Sequence, residues 1–274
     1  ERVLTEQRTG NFTGDLFEGG GLLQLGRKSS GLLVSSKDIP VLREKGVWRI
    51  DPPTMDNISD AYALVHRFSS LPPYINTDLI KGGQEPKTWK ELIEPQWKGR
   101  ITLADPRLTA GLSTSLLGLQ YHNVLPPEFI KAMGNQDLKF GSSQREVVTA
   151  LARGDAALSF GLTEGDTSAF LQGGAHIRAL SMAEGNAATP SAISVIKNAP
   201  HPNAAKLFVN WILTQEGQTL YGRLASLASV RLDGGDFRHE GVRVKAKQIV
   251  LTEDDLTRLN KLFEDKYVID LWKK

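Results

Sequence analysis

Apolar positions along this chain change period several times, and each change marks an element. Between Ile58 and Ile75, strand formers gather around Tyr62, Leu64, Val65 and Phe68 and stop at Leu71-Pro72-Pro73-Tyr74. Two prolines bar the middle of a sheet, so the segment predicts a strand leading to an edge or crossover. Thr88 and Glu91 form the spacing of a capping box ahead of a short helix, and Gly99 to Pro106 reads as a short strand stopped by proline. From Arg107 to His122 the period lengthens: Leu112, Leu116, Leu117 and Leu119 predict a helix whose first turn holds Thr109, Ala110, Gly111, Ser113 and Thr114. Ser143-Gln144-Arg145-Glu146 is a second capping box; Val147, Val148, Ala150 and Leu151 follow at helical spacing, and Gly154 ends the helix. The run 156–161 is a strand, and Pro202 opens a helix whose apolar residues Ala205, Leu207, Phe208, Trp211 and Ile212 predict core. The mixed charges after Arg231 read as a solvated helical surface over Leu256, Leu259, Leu262 and Phe263. Strand, helix and strand with short connections is the α/β pattern.

Composition narrows the chemistry. The 274 residues include no cysteine, which removes disulfides, thiolate metal sites and thiol nucleophiles. Lysine and arginine number 33 against 31 aspartates and glutamates, so no polyelectrolyte partner is implied, and the dispersed basic residues predict no nucleic-acid binding. No apolar run approaches the roughly 18 residues a membrane helix needs. The phosphate-binding loop and Gly-x-Gly-x-x-Gly signatures are missing, Gly111-Leu112-Ser113-Thr114-Ser115 lacks the closing glycine of a nucleophile elbow, and the five histidines show no metal-ligand spacing. No cofactor and no metal is expected.

What remains is a set of small, polar loops. Glu18-Gly19-Gly20-Gly21 predicts a tight turn at which backbone can approach a ligand. The helix start at Thr109, Ala110, Gly111 and Ser113 offers unpaired N–H groups and hydroxyls of the kind that hold carboxylates and phosphoryl groups, although plain capping explains the same residues. Thr163-Glu164-Gly165-Asp166 is a loop at the carboxyl end of a strand, where α/β sheets place ligands, so Ser159, Thr163 and Glu164 are candidates, with a solvated acidic turn as the alternative. A third small-residue loop, 184–191, includes Asn186 and Thr189.

Three stretches together resemble a known family. They are Pro86-Lys87-Thr88-Trp89-Lys90-Glu91-Leu92-Ile93-Glu94-Pro95-Gln96-Trp97-Lys98-Gly99-Arg100-Ile101 with Asp105-Pro106-Arg107, the preceding Tyr74-Ile75-Asn76-Thr77-Asp78-Leu79-Ile80, and Ala199-Pro200-His201-Pro202-Asn203-Ala204-Ala205-Lys206-Leu207-Phe208 running to Gln215-Glu216-Gly217-Gln218. In order and spacing they are similar to the extracellular solute-binding proteins of bacterial ABC importers, in the branch that includes ferric-iron, phosphonate and sugar-phosphate binders. The resemblance implies a type II periplasmic-binding-protein fold: two α/β lobes joined by crossover strands, closing on ligand by hinge motion, with 1–86 and 191–274 in one lobe and 87–190 in the other. It implies no enzymatic activity, a small-molecule solute as ligand, a permease in the inner membrane as partner, a monomer, and a periplasmic or extracellular, membrane-associated address. Carried over by position, it directs Gly19, Gly20, Tyr74, Thr109, Ala110, Gly111, Ser113, Thr163, Glu164, Asn186 and Thr189 to the ligand. Apart from the resemblance, Arg107 is an alternative anion partner, with a surface contact of the Asp-Pro-Arg turn as its other reading.

Two departures matter. Iron-binding members resemble one another in two adjacent tyrosines, and Tyr62, Tyr74, Tyr121, Tyr221 and Tyr267 include no such pair. Members also begin with a strand, helix and strand ahead of the region resembling Thr5 to Phe17; these are expected to be missing here, either because the chain was cut or because its first lobe is built differently. The expectation is capture of a small anionic metabolite such as a phosphonate, sugar phosphate or carboxylate. Its rivals are a ferric-iron or thiamine-type binder of the same family, a ligand-sensing module of a receptor, and an enzyme using Glu164 with His122 or His201 as acid and base.

Overall fold

The computed structural model describes residues 2–20, 30–49, 64–106 and 110–250. In chain order the elements are α1 (Arg2–Thr9), β1 (Leu16–Gly20), β2 (Leu33–Val34), β3 (Leu64–Leu71), β4 (Tyr74–Asn76), β5 (Thr102–Ala104), α2 (Ala110–Tyr121), α3 (Phe129–Met133), β6 (Lys139–Gly141), α4 (Gln144–Arg153), β7 (Leu158–Ser159), α5 (Glu164–Gln172), β8 (Ile177–Ala179), β9 (Asn186–Ile196), α6 (Pro202–Ile212), α7 (Gln215–Ala225) and β10 (Gln248–Val250). The chain divides into two compact units, Glu1–Phe68 with Pro190–Phe237, and Ser69–Thr189 with Arg238–Lys274. Residues 69–86 and the chain from Arg238 therefore fall with the second unit, whereas the sequence-based boundaries join them to the first.

In the first unit, β9 pairs antiparallel with β1, in the register Leu16 to Val195 through Gly20 to Ser191, and with β2. Gly19 and Gly20 are thus strand residues opposite Ala192 and Ser191, not the expected turn. Their φ angles are not among the positive ones, and the ladder to β9 satisfies backbone groups that a turn would leave to solvent. On α6, Pro202 stands at the helix start as expected. Only Ala205, Val209 and Ile212 are buried, one stripe at helical spacing; Leu207 is 70% exposed and Phe208 43%, a correction to their reading as core.

In the second unit, β4 lies between β7 and β8, antiparallel to both, and β5 pairs parallel with β6. The loop expected over 184–191 is instead the start of β9, whose Asn186 to Ala188 pair parallel with β10. These small residues are buried, so their backbone needs the partners a sheet supplies. Ser143 caps α4 by accepting the Glu146 N–H, and Gly154 ends it at φ +82°. The reciprocal half of that box differs: the Glu146 carboxylate takes the N–H and hydroxyl of Ser142. Thr88 and Glu91 meet as predicted, but around a single 3-10 turn, Lys90–Ile93. Leu256, Leu259, Leu262 and Phe263 lie outside the described residues.

The core of this unit is aromatic at one end. Trp89 is fully buried, edge-on to Phe129 at 5.9 Å and to Phe160 at 6.0 Å between ring centroids, and its Nε1 donates to the Gly185 carbonyl at 2.8 Å. A second cluster packs Tyr74 with Val147, Val148, Leu151, Leu171 and Val242.

Candidate functional site

Tyr74 and Ser159 stand opposite each other on β4 and β7, and Tyr74 faces Ala179 across β8. Directly after β7 the chain turns at Gly161, with φ +80°. A β-carbon there would lie 2.8 Å from the Leu112 Cα, and one on Gly111 would lie 3.1 Å from the Gly161 carbonyl oxygen. The two glycines therefore let the first turn of α2 seat backbone against backbone on the turn that leads into α5. The Gln144 amide nitrogen, at the start of α4, is 3.6 Å from the same Gly111 position. Sequence reasoning treats Gln144 only as part of a helix start; its place beside Gly111 carries no local signal, because 33 residues separate them.

The two helix ends meeting at Gly161 differ in charge. The first turn of α2 contains no acidic residue, whereas α5 begins with Glu164 and Asp166. Thr163, expected in a loop, is the N-cap of α5. Its hydroxyl accepts the Asp166 N–H, and the Asp166 carboxylate accepts the Thr163 N–H at 2.7 Å, so both are engaged with one another. Glu164 is 2% exposed, and its Oε1 accepts from Arg238 Nη1 at 2.9 Å. A buried carboxylate without a cation would carry the full cost of desolvation, which the arginine offsets. Glu164 is thus tied to a cation from a segment read as solvated surface. Of the two proposed acid-base partners, His201 is bonded to Asp15 within the first unit, and His122 follows the far end of α2, about 18 Å of helix away from its first turn.

Tyr74 is wholly buried, with its Oη 3.3 Å from Thr167 Oγ1. Burial pushes its phenol well above the ordinary range, the charges of Glu164 and Asp166 push the same way, and the Thr167 hydrogen bond and Arg238 oppose them. It is a neutral hydroxyl. Asn186 donates through Nδ2 to the Leu180 carbonyl at 2.9 Å, and Leu180 in turn donates to the Pro73 carbonyl beside Tyr74. Ser159 Oγ and Asn186 Oδ1 are both buried with no hydrogen-bond partner among the described residues.

Of the sequence-derived candidates, then, Tyr74, Gly111, Ser113, Ser159, Thr163, Glu164 and Asn186 belong to one unit, Ser113 being 1% exposed. Thr189 is a half-buried residue of β9 in the same unit, and Ala110 opens α2. Gly19 and Gly20 belong to the other unit, and Arg107 and Thr109 lie outside the described residues. Among the described residues no group of three His, Asp or Glu is placed to hold a metal ion.

Residues 28–223 match the profile of the bacterial extracellular solute-binding proteins. The chain belongs to that family. The fold of this solute-binding protein is similar to that of the substrate-binding protein of an ABC transporter from Agrobacterium tumefaciens, with a TM-score of 0.77 at 16% identity over 99% of this chain and 82% of that one. It is similar also to the periplasmic binding protein AfuA of Actinobacillus pleuropneumoniae, solved with fructose 6-phosphate, at a TM-score of 0.73 and 20% identity over 96% and 85% of the two chains. Iron-bound HitA of Pseudomonas aeruginosa gives 0.76 at 15% identity over 98% and 87%. The type II periplasmic-binding-protein fold expected from the sequence is therefore the fold of this solute-binding protein. A relative described as an uncharacterized protein of Haemophilus influenzae is 30% identical over 151 residues, 53% of this chain, and the match spans 43% of that protein's length. Among the described residues no helix is long and apolar enough to cross a membrane.

Proposed function

We propose that this solute-binding protein captures a small anionic metabolite, of the phosphonate, sugar-phosphate or carboxylate class, outside the cytoplasmic membrane and hands it to an ABC-importer permease. One observation carries the anionic part: the first turn of α2, free of acidic residues, lies beside the Gln144 amide and against the Gly161 turn. The helix end supplies N–H donors and partial positive charge; at the adjacent α5 end the Glu164 carboxylate is offset by Arg238, and the Asp166 carboxylate is turned into its own N-cap. The Ser159 hydroxyl and Asn186 carbonyl oxygen, without a partner among the described residues, suit the hydroxyls of such a solute. AfuA, similar in fold, is solved with fructose 6-phosphate, and HitA with iron. Tyr74 weighs against the iron alternative, since a buried phenol with a raised pKa resists becoming the phenolate a ferric ion takes. The strands β3 and β9, which carry the chain between the units, are read as the hinge.

A thermal-shift screen over phosphonates, sugar phosphates, carboxylates, thiamine, polyamines and ferric salts tests this, because a ligand held by the native state raises Tm. Anions are expected to give the shift. Replacing Gln144→Ala should then weaken the best anion about tenfold, the worth of one charge-assisted hydrogen bond, while leaving the Tm of the free protein unchanged. A shift given by a cation and by no anion overturns the reading.

A further inference from the structure

The second unit holds a cavity of about 570 Å³ whose walls include Gln84, Glu85, Lys87, Glu91, Trp97 and Arg100. Arg100 is joined through its carbonyl to the Ala157 and Leu158 N–H groups at the start of β7, while its side chain lines this cavity. The volume suits a small organic ligand. Its four charged side chains are unequal in how far the chain already uses them. Glu85 accepts from Arg178 Nη2 at 2.6 Å and from the Gly83 N–H, and Glu91 accepts from the Lys87 N–H at 2.9 Å and from the Thr88 hydroxyl at 3.0 Å. Both carboxylates are spent within the fold. The Lys87 ammonium and the Arg100 guanidinium form no ion pair among the described residues, and both side chains belong to exposed residues.

Arg100 is nevertheless held in place. Its guanidinium carbon lies 5.5 Å from the centroid of the Trp97 ring, a cation-π contact. Trp97 is itself 2% exposed, and its indole N–H is buried with no acceptor among the described residues. A guanidinium resting on a fixed ring keeps its edge N–H groups available as a fork, the geometry that matches two oxygens of a phosphoryl group, while Lys87 adds a mobile point charge on the same cavity. We infer that this cavity is a second anion site, separate from the α2 end, which takes a phosphate ester through Arg100 and Lys87. The same chemistry is offered by a free ester and by a phospholipid headgroup.

The test is a titration of 15N-tryptophan-labelled protein, at low ionic strength where screening is weak, with glycerol phosphate in one arm and with phosphatidylglycerol vesicles against phosphatidylcholine vesicles in the other. The indole resonance of Trp97, assigned by its loss in Trp97→Phe, is expected to move. Affinity should fall at least about tenfold in the double variant Lys87→Ala, Arg100→Ala, with partial recovery for Arg100→Lys, which keeps the charge and loses the fork. Because these side chains are exposed, the variants should keep the Tm of the parent. Gln144→Ala should leave this titration unchanged, so failure at the α2 end and failure here are read separately. A response to glycerol phosphate supports a soluble ester, and a response to phosphatidylglycerol alone supports a headgroup. An unmoved Trp97 signal in both arms, or unchanged affinity in the double variant, overturns the inference.

Discussion

The two units bury their interiors by different means. The second is filled by rings and aliphatic chains: Trp89, Phe129 and Phe160 meet edge to face, and Tyr74 joins an aliphatic cluster. The first closes its irregular segment 226–237 with polar side chains. Arg231 is 3% exposed, lies 4.9 Å from the Trp48 ring centroid, and bonds Asp233 at 2.8 Å and Glu44 at 2.7 Å. Gln218, 1% exposed, accepts from the Val230 N–H at 3.0 Å and donates to the Ile212 carbonyl at 2.9 Å. The difference follows from backbone. Strands and helices satisfy their own N–H and C=O groups and can be covered with apolar atoms, whereas a buried irregular loop needs side chains to do it.

The largest test of this contrast is Trp89→Ala, which should cost about 3–5 kcal/mol in denaturant unfolding, with little dependence on salt. Hydrogen exchange should report the loss in the second unit and spare the first. An equal loss of protection in both would show that the units unfold as one body and that the contrast has no energetic meaning.

A smaller effect is expected at Arg231. Arg231→Ala should cost about 2–3 kcal/mol, the scale for hydrogen bonds to a charged group, held down because Glu44 and Asp233 are 44% and 38% exposed. Arg231→Met sharpens the point, since methionine can cover Trp48 but accepts no role in the ion pairs. If Met recovers most of the loss, the first unit is held by packing after all and the comparison collapses.

The smallest effect concerns α1, which has no buried residue. Glu6 anchors it by accepting from the Thr13 hydroxyl and from the Gly14 and Thr13 N–H groups, with Arg2 alongside, and in that order these bonds bring its carboxyl down to about 2 from the ordinary 4.5. A depressed folded pKa means stability present above pH 4.5 and lost as pH falls from there toward 2. Exchange protection of the Thr13 and Gly14 amides should fade over that window, and Glu6→Gln should be already weak at neutral pH and flat through it.

Legibility in the sequence tracks the reach of each interaction. Pro202 at a helix start, Ser143 and Gly154 at the two ends of α4, and the leucines of α2 act within a turn or two, and the sequence reading of each agrees with the structure. Gly19 and Gly20 mislead because pairing with residues 191 and 192 outweighs their local preference for turns. Leu207 and Phe208 mislead because hydrophobicity says that a side chain can be buried, and only the packing of α6 says which side is. At the candidate site, the α2 start is readable from its small residues. The engagement of Glu164 by Arg238, 74 residues away, and the nearness of Gln144 to Gly111 are tertiary facts with no local trace.

That separation has a consequence in time. On a ribosome adding about 5–20 residues per second, Glu164 emerges roughly 4–15 s before Arg238. When Phe237 is added, the second unit still lacks the arginine that pairs with Glu164 and the strand β10. Until then the start of α5 holds a carboxylate without its arginine, and the segment that carries Arg238 is what lets the unit close over that charge.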